Sequence, residues 1–401
     1  MSNSGQLEAL LRGRIKGHVR FDPLYRSLYA TDASMYEQVP IGVAMPRDVA
    51  DVVQIVRCCR EVGVSITARG AGTGLTGGAV GEGLQVDFSR YMNRILEVDP
   101  QRRIARVQPG VVLDVLNARL GGCGLQFAPD VATSSRATIG GMIANNSCGA
   151  HSGVYGTTAD HVESLTLVLS DGSVVTWSAM DPASWQQRCR GDSVEAVGLR
   201  TIQQVLRDHA GLIRQRYPKL LRCNGGYGLD RLLQDDPPDP TKLVCGSEGT
   251  LGLVVEAMLR LTPLPACRAV LVAHFHDLME SLSAVPRCLE HSPAAVELID
   301  QMILDASADN PALARRRGFL RGRPKAILAI EFFGQDRQDL LGRLQQLQRS
   351  LEAAGLGYAF TSLTDSQAQL DLWEVRKAGL GLLMSRPGDR QPYAFIEDTA
   401  A

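Results

Sequence analysis

The sequence predicts an α+β protein built in two parts, and three observations carry this. Glycine-dense stretches recur between short apolar runs of strand length, at 70–83, 129–162 and 246–252. Pro263 and Pro265 then break the pattern. Beyond them, strand-like and helix-like segments alternate: AVLVAHF, a helix near 277–291, AAVELID, AILAIEFFG, a helix near 336–354, GYAFTSL and a helix near 365–383. Such alternation marks a strand–helix–strand domain.

Composition bounds the rest. A chain of 401 residues, 45% hydrophobic and 21% charged, has the make-up of a soluble globular protein with large cores. A net charge of −1 leaves no electrostatic footprint for nucleic acid. No apolar run reaches membrane-span length, about 18–20 residues, so no transmembrane segment is expected. The N-terminus has no signal-peptide core, so the expected compartment is the cytoplasm. The nine cysteines are scattered without a C-x-x-C, which argues against disulfides, zinc and iron–sulfur ligation and for reduced, buried thiols.

In order, LEALLRGRI reads as a short helix, and residues 25–48 as a polar, turn-rich stretch. Asp48 caps a helix whose apolar positions Val49, Val52, Val53, Val56 and Cys59 follow helical spacing, and Gly63 ends it. The run Val62 to Ala68 reads as a buried strand, and LQVDFS as the next one. NRILEVDPQRRIARVQPGV alternates as a strand pair with its turn at Asp99-Pro100, VVLDVLNARLGGCG is a helix, and Pro129–Val162 is a long loop without periodicity. ESLTLVLSDGSVVTW is a hairpin turning at Asp171-Gly172. A helix runs from Thr201 to Pro218 and a little beyond. LVC is a strand leading into the glycine turn 246–252, and another strand follows.

The centre of the first part is Arg69–Ala79, RGAGTGLTGGA, with five glycines in eleven residues. Glycine lets successive backbone N–H groups turn toward one point, and such a nest holds a phosphate or pyrophosphate. Thr73 and Thr76 add hydroxyls, and Arg69 adds charge. Gly72, Gly74 and Gly77 also fit G-x-G-x-x-G, but that fingerprint requires the glycines to open a helix. Here Gly81 and Gly83 continue the run and a strand follows. The reading is a strand–loop–strand pyrophosphate clamp, with a mobile glycine hairpin as the plain alternative. A Cβ at Gly74 is expected to block a left-handed turn.

The wording of these stretches resembles one flavoprotein family. RGAGTGLTGGA, PDVATSSRATIGGMIANNSCG, VYGTTADHV and GSEGTLGLVVEAMLRL, in this order, are similar to the vanillyl-alcohol oxidase and p-cresol methylhydroxylase family. Within it they look most like the FAD-linked D-2-hydroxyacid dehydrogenases: D-2-hydroxyglutarate dehydrogenase, cytochrome-type D-lactate dehydrogenase and the glycolate oxidase FAD subunit. Residues 1–20 read as an N-terminal helical segment; from about residue 20 the resemblance implies a two-part FAD-binding domain of the p-cresol methylhydroxylase type over 21–265 and an incomplete α/β cap, or substrate, domain over 266–401.

The resemblance also implies roles. Arg69, Gly70, Ala71, Gly72, Thr73, Gly74, Leu75, Thr76 and Gly77 would bind the FAD pyrophosphate and flank the flavin. Pro129, Asp130, Thr138, Gly140, Gly141, Asn145, Ser147 and Gly149 would line the adenine–ribityl path, with Tyr155, Gly156, His161 and Val162 completing it. Glu248, Gly249 and Thr250 would hold the pocket from the third turn, and Pro46 would pack near the adenine. For each, the plain alternative is a turn or packing role. His161 reads either as a catalytic base or as a structural residue at the flavin edge. The glycine loop carries no His or Cys, so FAD is expected to be held non-covalently.

DLWEVRKAG, 371–379, matches the family's Trp-x-x-Arg stretch. Arg376 would then pair with the substrate carboxylate through its planar fork, with Lys377 a lesser second contact; otherwise Arg376 and Glu374 are surface charges. The implied activity is hydride transfer from C2 of a D-2-hydroxyacid (D-lactate, glycolate or D-2-hydroxyglutarate) to flavin N5. Electrons would pass to an acceptor other than oxygen, or to an iron–sulfur domain or subunit, which would place the chain in the cytoplasm or peripherally at the inner membrane. Relatives carry a His-x-x-x-Gly-x-x-His-like stretch and a Glu-His pair that bind a divalent metal and supply the base. The seven histidines here show neither, and no metal site is expected; His274-x-His276 is the nearest approach. AFIEDTAA starts as a strand and stops at Ala401. The expectation is therefore a chain cut inside its substrate domain that binds FAD but reduces it slowly. A flavin oxidase of a neutral alcohol, which would not need Arg376, and a non-catalytic FAD-binding subunit are the other readings.

Overall fold

The computed structural model describes residues 3–220, 222–223, 225–235 and 237–385. The strand expected from Ala394 lies outside the described residues. The described chain divides into two compact units. Residues 3–149 and 155–263 form the first; residues 150–154 and 264–385 belong to the second. The five residues 150–154 therefore leave the stretch that the sequence assigns to the first part.

In unit one, β1 (His18–Arg20), β2 (Gly42–Met45), β3 (Ile66–Arg69) and β4 (Leu84–Asp87) form a sheet in the order β1-β2-β4-β3. β2, β4 and β3 run parallel, and β1 is antiparallel to β2. Helix Val49–Val62 is the crossover from β2 to β3. The Asp48 side chain accepts the Asp51 N–H at its start, and Gly63 ends it at φ 74°. Its inner face packs Val52, Ile55, Val56 and Cys59 against Leu84 and Val86 and against Leu7 and Leu11 of helix Asn3–Arg14. Both leucines are fully buried, and each contributes about 1.5–3 kcal/mol. The N-terminal helix is thus part of this core rather than a separate segment.

Two local readings change here. The buried strand β2 sits inside the stretch read as turn-rich, because four residues between Pro40 and Pro46 are too few to show periodicity. β3 begins at Ile66, since Val62 still belongs to the helix, and it is only half-buried because it is an edge strand.

The second sheet of unit one is wholly antiparallel. With β5 (Ile95–Asp99), β6 (Ile104–Val107), β7 (Leu125–Gln126), β8 (Val162–Val168), β9 (Val174–Ser178), β10 (Leu253–Arg260) and β11 (Thr262–Pro263) in chain order, its strands run β5-β6-β10-β8-β9. β7 and β11 pair separately. Helix Leu113–Gly121 and the buried Phe127, Ile139, Met142 and Ile143 fill the core against this sheet. The β8–β9 hairpin turns at Asp171-Gly172, with Gly172 at φ 79°. The long helix is Val194–Arg216, capped by Ser193, and starts seven residues before the expected Thr201. LVC is not a strand: Thr241–Val244 is one helical turn. Four residues cannot display a helical period, and Val and Leu suit either state. The 129–162 stretch is not structureless either. It contains helix Ile139–Ala144, capped by Thr138, the turn Ser152–Tyr155 and a 3₁₀ turn Thr158–His161.

Unit two carries β12 (Cys267–Phe275), β13 (Ala295–Asp300), β14 (Ala326–Gly334) and β15 (Ala359–Leu363) in the order β13-β14-β12-β15, all neighbours antiparallel. Strand and helix alternate along the chain as the sequence indicates. Each crossover skips one position, and an antiparallel strand fills the gap, giving two split strand–helix–strand units. Helices Leu278–Leu289 and Arg337–Ala353 cover one face, and helices Gln301–Asp309 and Ser366–Lys377 lie with the other core.

Candidate functional site

Unit one holds a cleft of about 920 Å³, within the range of cofactor pockets, about 300–1,000 Å³. The loop between β3 and β4 forms one wall through Gly70, Ala71, Gly72, Thr73, Gly74, Leu75 and Thr76. Thr138, Gly141, Asn145 and Ser147 form a second, and Glu248 enters from the third glycine turn. Arg69, Gly140 and Gly249 line a smaller adjoining cavity together with Gly70, Thr138 and Gly141.

The loop owes its shape to close contacts. A Cβ on Gly70 would lie 2.1 Å from Thr138 Oγ1, so only glycine lets the loop meet the start of helix Ile139–Ala144. Gly72 and Gly77 take left-handed conformations, φ 64° and 80°, and a Cβ on Gly77 would strike the Tyr36 ring at 2.7 Å. Gly74 differs from expectation. Its φ is not left-handed, and a Cβ there would meet nothing within 4 Å. Arg69 differs too. Its guanidinium donates to the carbonyl oxygens of Tyr29 (3.3 Å), Ala79 (3.0 Å) and Thr31 (2.7 Å). These bonds tie Arg69 to the loop's Ala79 and to the chain before it at Tyr29 and Thr31, so Arg69 fixes the cradle.

The third turn is tied to the second wall. Gly246 N–H donates to Ile143 O at 3.0 Å, and Glu248 N–H to Ala144 O at 2.8 Å. Glu248 adopts φ 52°, and its carboxylate stands beside Gly78.

Ten expected cofactor residues line neither cavity. Pro46 is buried at the end of β2. Gly77 turns the loop against Tyr36, and Pro129 is buried beside Phe127 and Ala128. Gly149 presses on the Asp130 carbonyl, which a Cβ would overlap at 1.5 Å. Tyr155 O lies 2.7 Å from His161 Nε2, Gly156 is left-handed against Asp160, and Val162 is 3% exposed in the core. Thr250 Oγ1 donates to Ser247 O at 2.6 Å and meets Tyr227 OH at 2.8 Å. His161 itself is 8% exposed, edge-on to Phe127, with Nδ1 buried and unpartnered. That placement packs the ring against Phe127 and leaves little of it exposed.

One wall is absent from the sequence reading. Arg216, which ends the long helix, and Tyr217, Pro218, Leu220, Arg222, Cys223 and Gly225 after it line the cleft, as does Cys148. Pro218 and the Gly225-Gly226 pair mark a turn there, but nothing local says where the turn lands. Four of the nine free cysteines are buried, and Cys123 is exposed.

In unit two, Arg376 sits in the last turn of helix Ser366–Lys377. Its Nε and Nη2 lie 2.8 and 2.7 Å from Glu297 Oε2 on β13. Lys377, the next residue, has no such partner among the described residues. His274 engages both ring nitrogens with backbone, Ala359 O at 3.0 Å and Arg321 N–H at 3.1 Å, which leaves none for a metal. No group of three or more His, Cys, Asp or Glu is arranged for a metal among the described residues. No helix among them is long and apolar enough to cross a membrane.

The comparisons with known proteins bear on this geometry. Residues 40–178 match the model of an FAD binding domain, and residues 264–401 that of the C-terminal domain of FAD linked oxidases. The glycolate oxidase subunit GlcD of Bacillus subtilis is 31% identical over 93% of this chain and 67% of its own length. The chain belongs to the FAD-linked oxidase family. D-2-hydroxyglutarate dehydrogenases of Pantoea ananatis and Escherichia coli are 37% and 33% identical over 92% and 93% of this chain. The chain spans only 38% of the length of each. An alkyldihydroxyacetonephosphate synthase aligns at a TM-score of 0.63 and 17% identity, over 91% of this chain and 65% of that one. The carbohydrate oxidase from Microdochium nivale aligns at 0.60 and 16%, over 92% and 64%. These likenesses show the fold, which is the p-cresol methylhydroxylase type of FAD-binding domain with a cap that the sequence resemblance implies.

The cleft fits FAD. Its walls are free of side chains at Gly70, Gly72, Gly74 and Gly141 and carry Thr73, Thr76, Thr138, Asn145 and Ser147. Glu248 is the one carboxylate among its lining residues.

Proposed function

We propose that this FAD-linked oxidase binds FAD non-covalently in the unit-one cleft and oxidises a D-2-hydroxyacid held by Arg376. The observation that carries the substrate class is the Arg376–Glu297 pair. Both guanidinium contacts fall on one carboxylate oxygen, Glu297 Oε2. A guanidinium fixed in this way presents its other donors to a carboxylate in a set plane, which a neutral alcohol would not use. The names of the relatives, D-2-hydroxyglutarate dehydrogenase, glycolate oxidase subunit and D-lactate dehydrogenase, support the same class.

The chemistry FAD supplies when bound is acceptance of a hydride at N5. The chain's own residues bind and orient. Amides of 70–76 and the hydroxyls of Thr73, Thr76 and Ser147 hold the diphosphate and its sugar; Arg376 fixes the substrate carboxylate. With FAD bound, the C2 hydrogen of the acid would leave as hydride and its hydroxyl proton would go to a base, so the product would be the 2-oxoacid. The electrons would then go to an acceptor other than oxygen.

The test is anaerobic mixing of the FAD-loaded chain with D-2-hydroxyglutarate, D-lactate and glycolate. Loss of flavin absorbance with one of them, and formation of the matching 2-oxoacid, is expected. A second reading, a non-catalytic FAD-binding subunit, draws on the subunit in the name of the glycolate oxidase relative. Flavin binding without bleaching by any of the three acids would favour it.

A further inference from the structure

The unit-one cleft has charged groups that the proposed function leaves without a task. Three of its lining residues are charged: Glu248 on the third glycine turn, and Arg216 and Arg222 on the wall where the long helix ends. The glycine loop and the second wall contribute no charged residue to it. Arg69 lines the smaller adjoining cavity, and three backbone carbonyls hold its guanidinium. A diphosphate brings two negative charges. Backbone N–H groups solvate such an anion but leave its charge in place, and Glu248 already sets a carboxylate in the same space. Charge taken out of water is costly unless a cation faces it.

Arg216 is held where it can meet that need. It ends helix Val194–Arg216, and the Tyr217 N–H after it donates to Ile213 O at 3.1 Å. Tyr217 OH donates to Tyr227 O at 2.6 Å, and Tyr227 OH meets Thr250 Oγ1 at 2.8 Å. Thr250 belongs to the third turn, whose Gly246 and Glu248 N–H groups are bonded to Ile143 O and Ala144 O of the second wall. One chain of hydrogen bonds thus joins the end of the long helix to two other cleft walls. Arg222 turns Nη1 toward Cys148 Sγ at 3.9 Å, whereas Arg216 makes no ion pair among the described residues. A basic residue in the last turn of a helix ordinarily serves the helix dipole. Arg214 fits that description: it shares the turn and the exposure but lines neither cavity. Of the two, Arg216 is the one that lines the cleft.

We propose that Arg216 supplies the positive charge for the FAD diphosphate, completing a clamp of which the glycine loop is the neutral half. This rests on the reading that FAD occupies the unit-one cleft. A guanidinium offers phosphate oxygens paired, planar N–H donors, and such charge-assisted bonds are stronger than those of a neutral amide. The group it would hold is shared by FAD and ADP and is missing from riboflavin. That gives Arg216 a signature in ligand choice which a packing or dipole role would not have.

The test is calorimetric titration of the cofactor-free chain with FAD, ADP and riboflavin. Arg216→Gln should raise the dissociation constants of FAD and ADP by similar factors, about 10–100-fold, the usual worth of a hydrogen bond to a charged group. Riboflavin binding should stay as in the wild type. Arg216→Lys should recover part of the loss, because the charge returns without the fork. Arg214→Gln removes the same charge from the same helical turn and should leave FAD affinity unchanged. Wild-type FAD affinity should fall as salt is raised, and Arg216→Gln should flatten that dependence. Unchanged FAD affinity in Arg216→Gln, an equal loss in Arg214→Gln, or a loss as large for riboflavin as for FAD overturns the proposal. If Arg216→Gln fails to fold, the wild type decides: FAD affinity indifferent to salt sinks the idea. A wild type that binds no FAD would instead sink the proposed function, and this inference with it.

Discussion

Gly70 and Thr138 touch with no room for a methyl group between them, since an added Cβ would stand 2.1 Å from the threonine hydroxyl oxygen. Thr138 in turn caps helix Ile139–Ala144 by accepting the Gly141 N–H. Gly70→Ala should therefore destabilise unit one by about 1–3 kcal/mol, the usual cost of overpacking. Thr138→Ala removes the obstructing oxygen at the expense of the cap. In the double variant the two losses should add to less than their sum, a coupling of about 0.5 kcal/mol or more. Denaturant midpoints of the four proteins measure it, and strict additivity would show that the contact is relaxed in solution.

Gly74 and Gly77 should separate folding from cofactor binding. Gly77→Val faces both a left-handed φ of 80° and the Tyr36 ring at 2.7 Å, so it should lower the melting temperature without any ligand. Gly74→Val meets no neighbour within 4 Å and keeps an ordinary backbone, so the unliganded protein should melt as before. Its side chain projects from a cleft-lining position and should weaken FAD retention. Flavin titrations and melting curves of both variants check this. A Gly74→Val protein that binds FAD normally would remove the loop from the binding wall.

Arg376→Lys keeps the charge but loses the fork. Lysine cannot contact Glu297 through two donors while offering a planar pair to a substrate. The half-saturating concentration of the 2-hydroxyacid should rise at least about tenfold, a loss of roughly 1.4 kcal/mol. Glu297→Gln should raise it less, since the neutral amide still accepts one hydrogen bond. Equal affinity for a 2-hydroxyacid and its neutral alcohol analogue in the wild type would argue against carboxylate anchoring altogether.

The stability of unit two should fall in mild acid. His274 is wholly buried on β12, and burial is the main cause holding its pKa below the ordinary 6.5. Released in the unfolded chain, the ring returns to the ordinary value and binds a proton first as pH falls. The stability it carries is therefore complete above 6.5 and is lost progressively below it. His274→Leu should be less stable at neutral pH, because the Arg321 N–H loses its acceptor, yet flatter between about pH 7 and 5. Parallel pH profiles of the two proteins would show that another group controls the acid limb.

Much of this was readable where the cause is local. The cap Asp48, the stop at Gly63 and the Asp171-Gly172 turn act within a few residues of themselves, and all three stand as read. The glycine loop was readable as a cradle because glycine density reports backbone crowding directly. Helix Ile139–Ala144 was not, since six residues with two glycines have weak propensity and depend on the cap and on burial of Ile139, Met142 and Ile143. Arg69 beside a phosphate cradle suggests a phosphate ligand; only tertiary structure brings the carbonyls of Tyr29, Thr31 and Ala79 to it. Arg216 and the glycine loop line one cleft, and no spacing rule joins them.

The three carbonyls around Arg69 also set where this protein can be shortened. Two of them, and the Ala33 N–H that donates to Gly72 O at 2.9 Å, come from residues before position 40, where the family match begins. Asp32 adds its carboxylate to the Ala79 N–H at 3.3 Å. A fragment excised at the recognisable boundary would keep every cleft-lining glycine and lose the scaffolding that bends them into shape. Expression clones, fusions and proteolytic trimming of this chain have to retain the polypeptide from Tyr29 onward for the loop to hold its form.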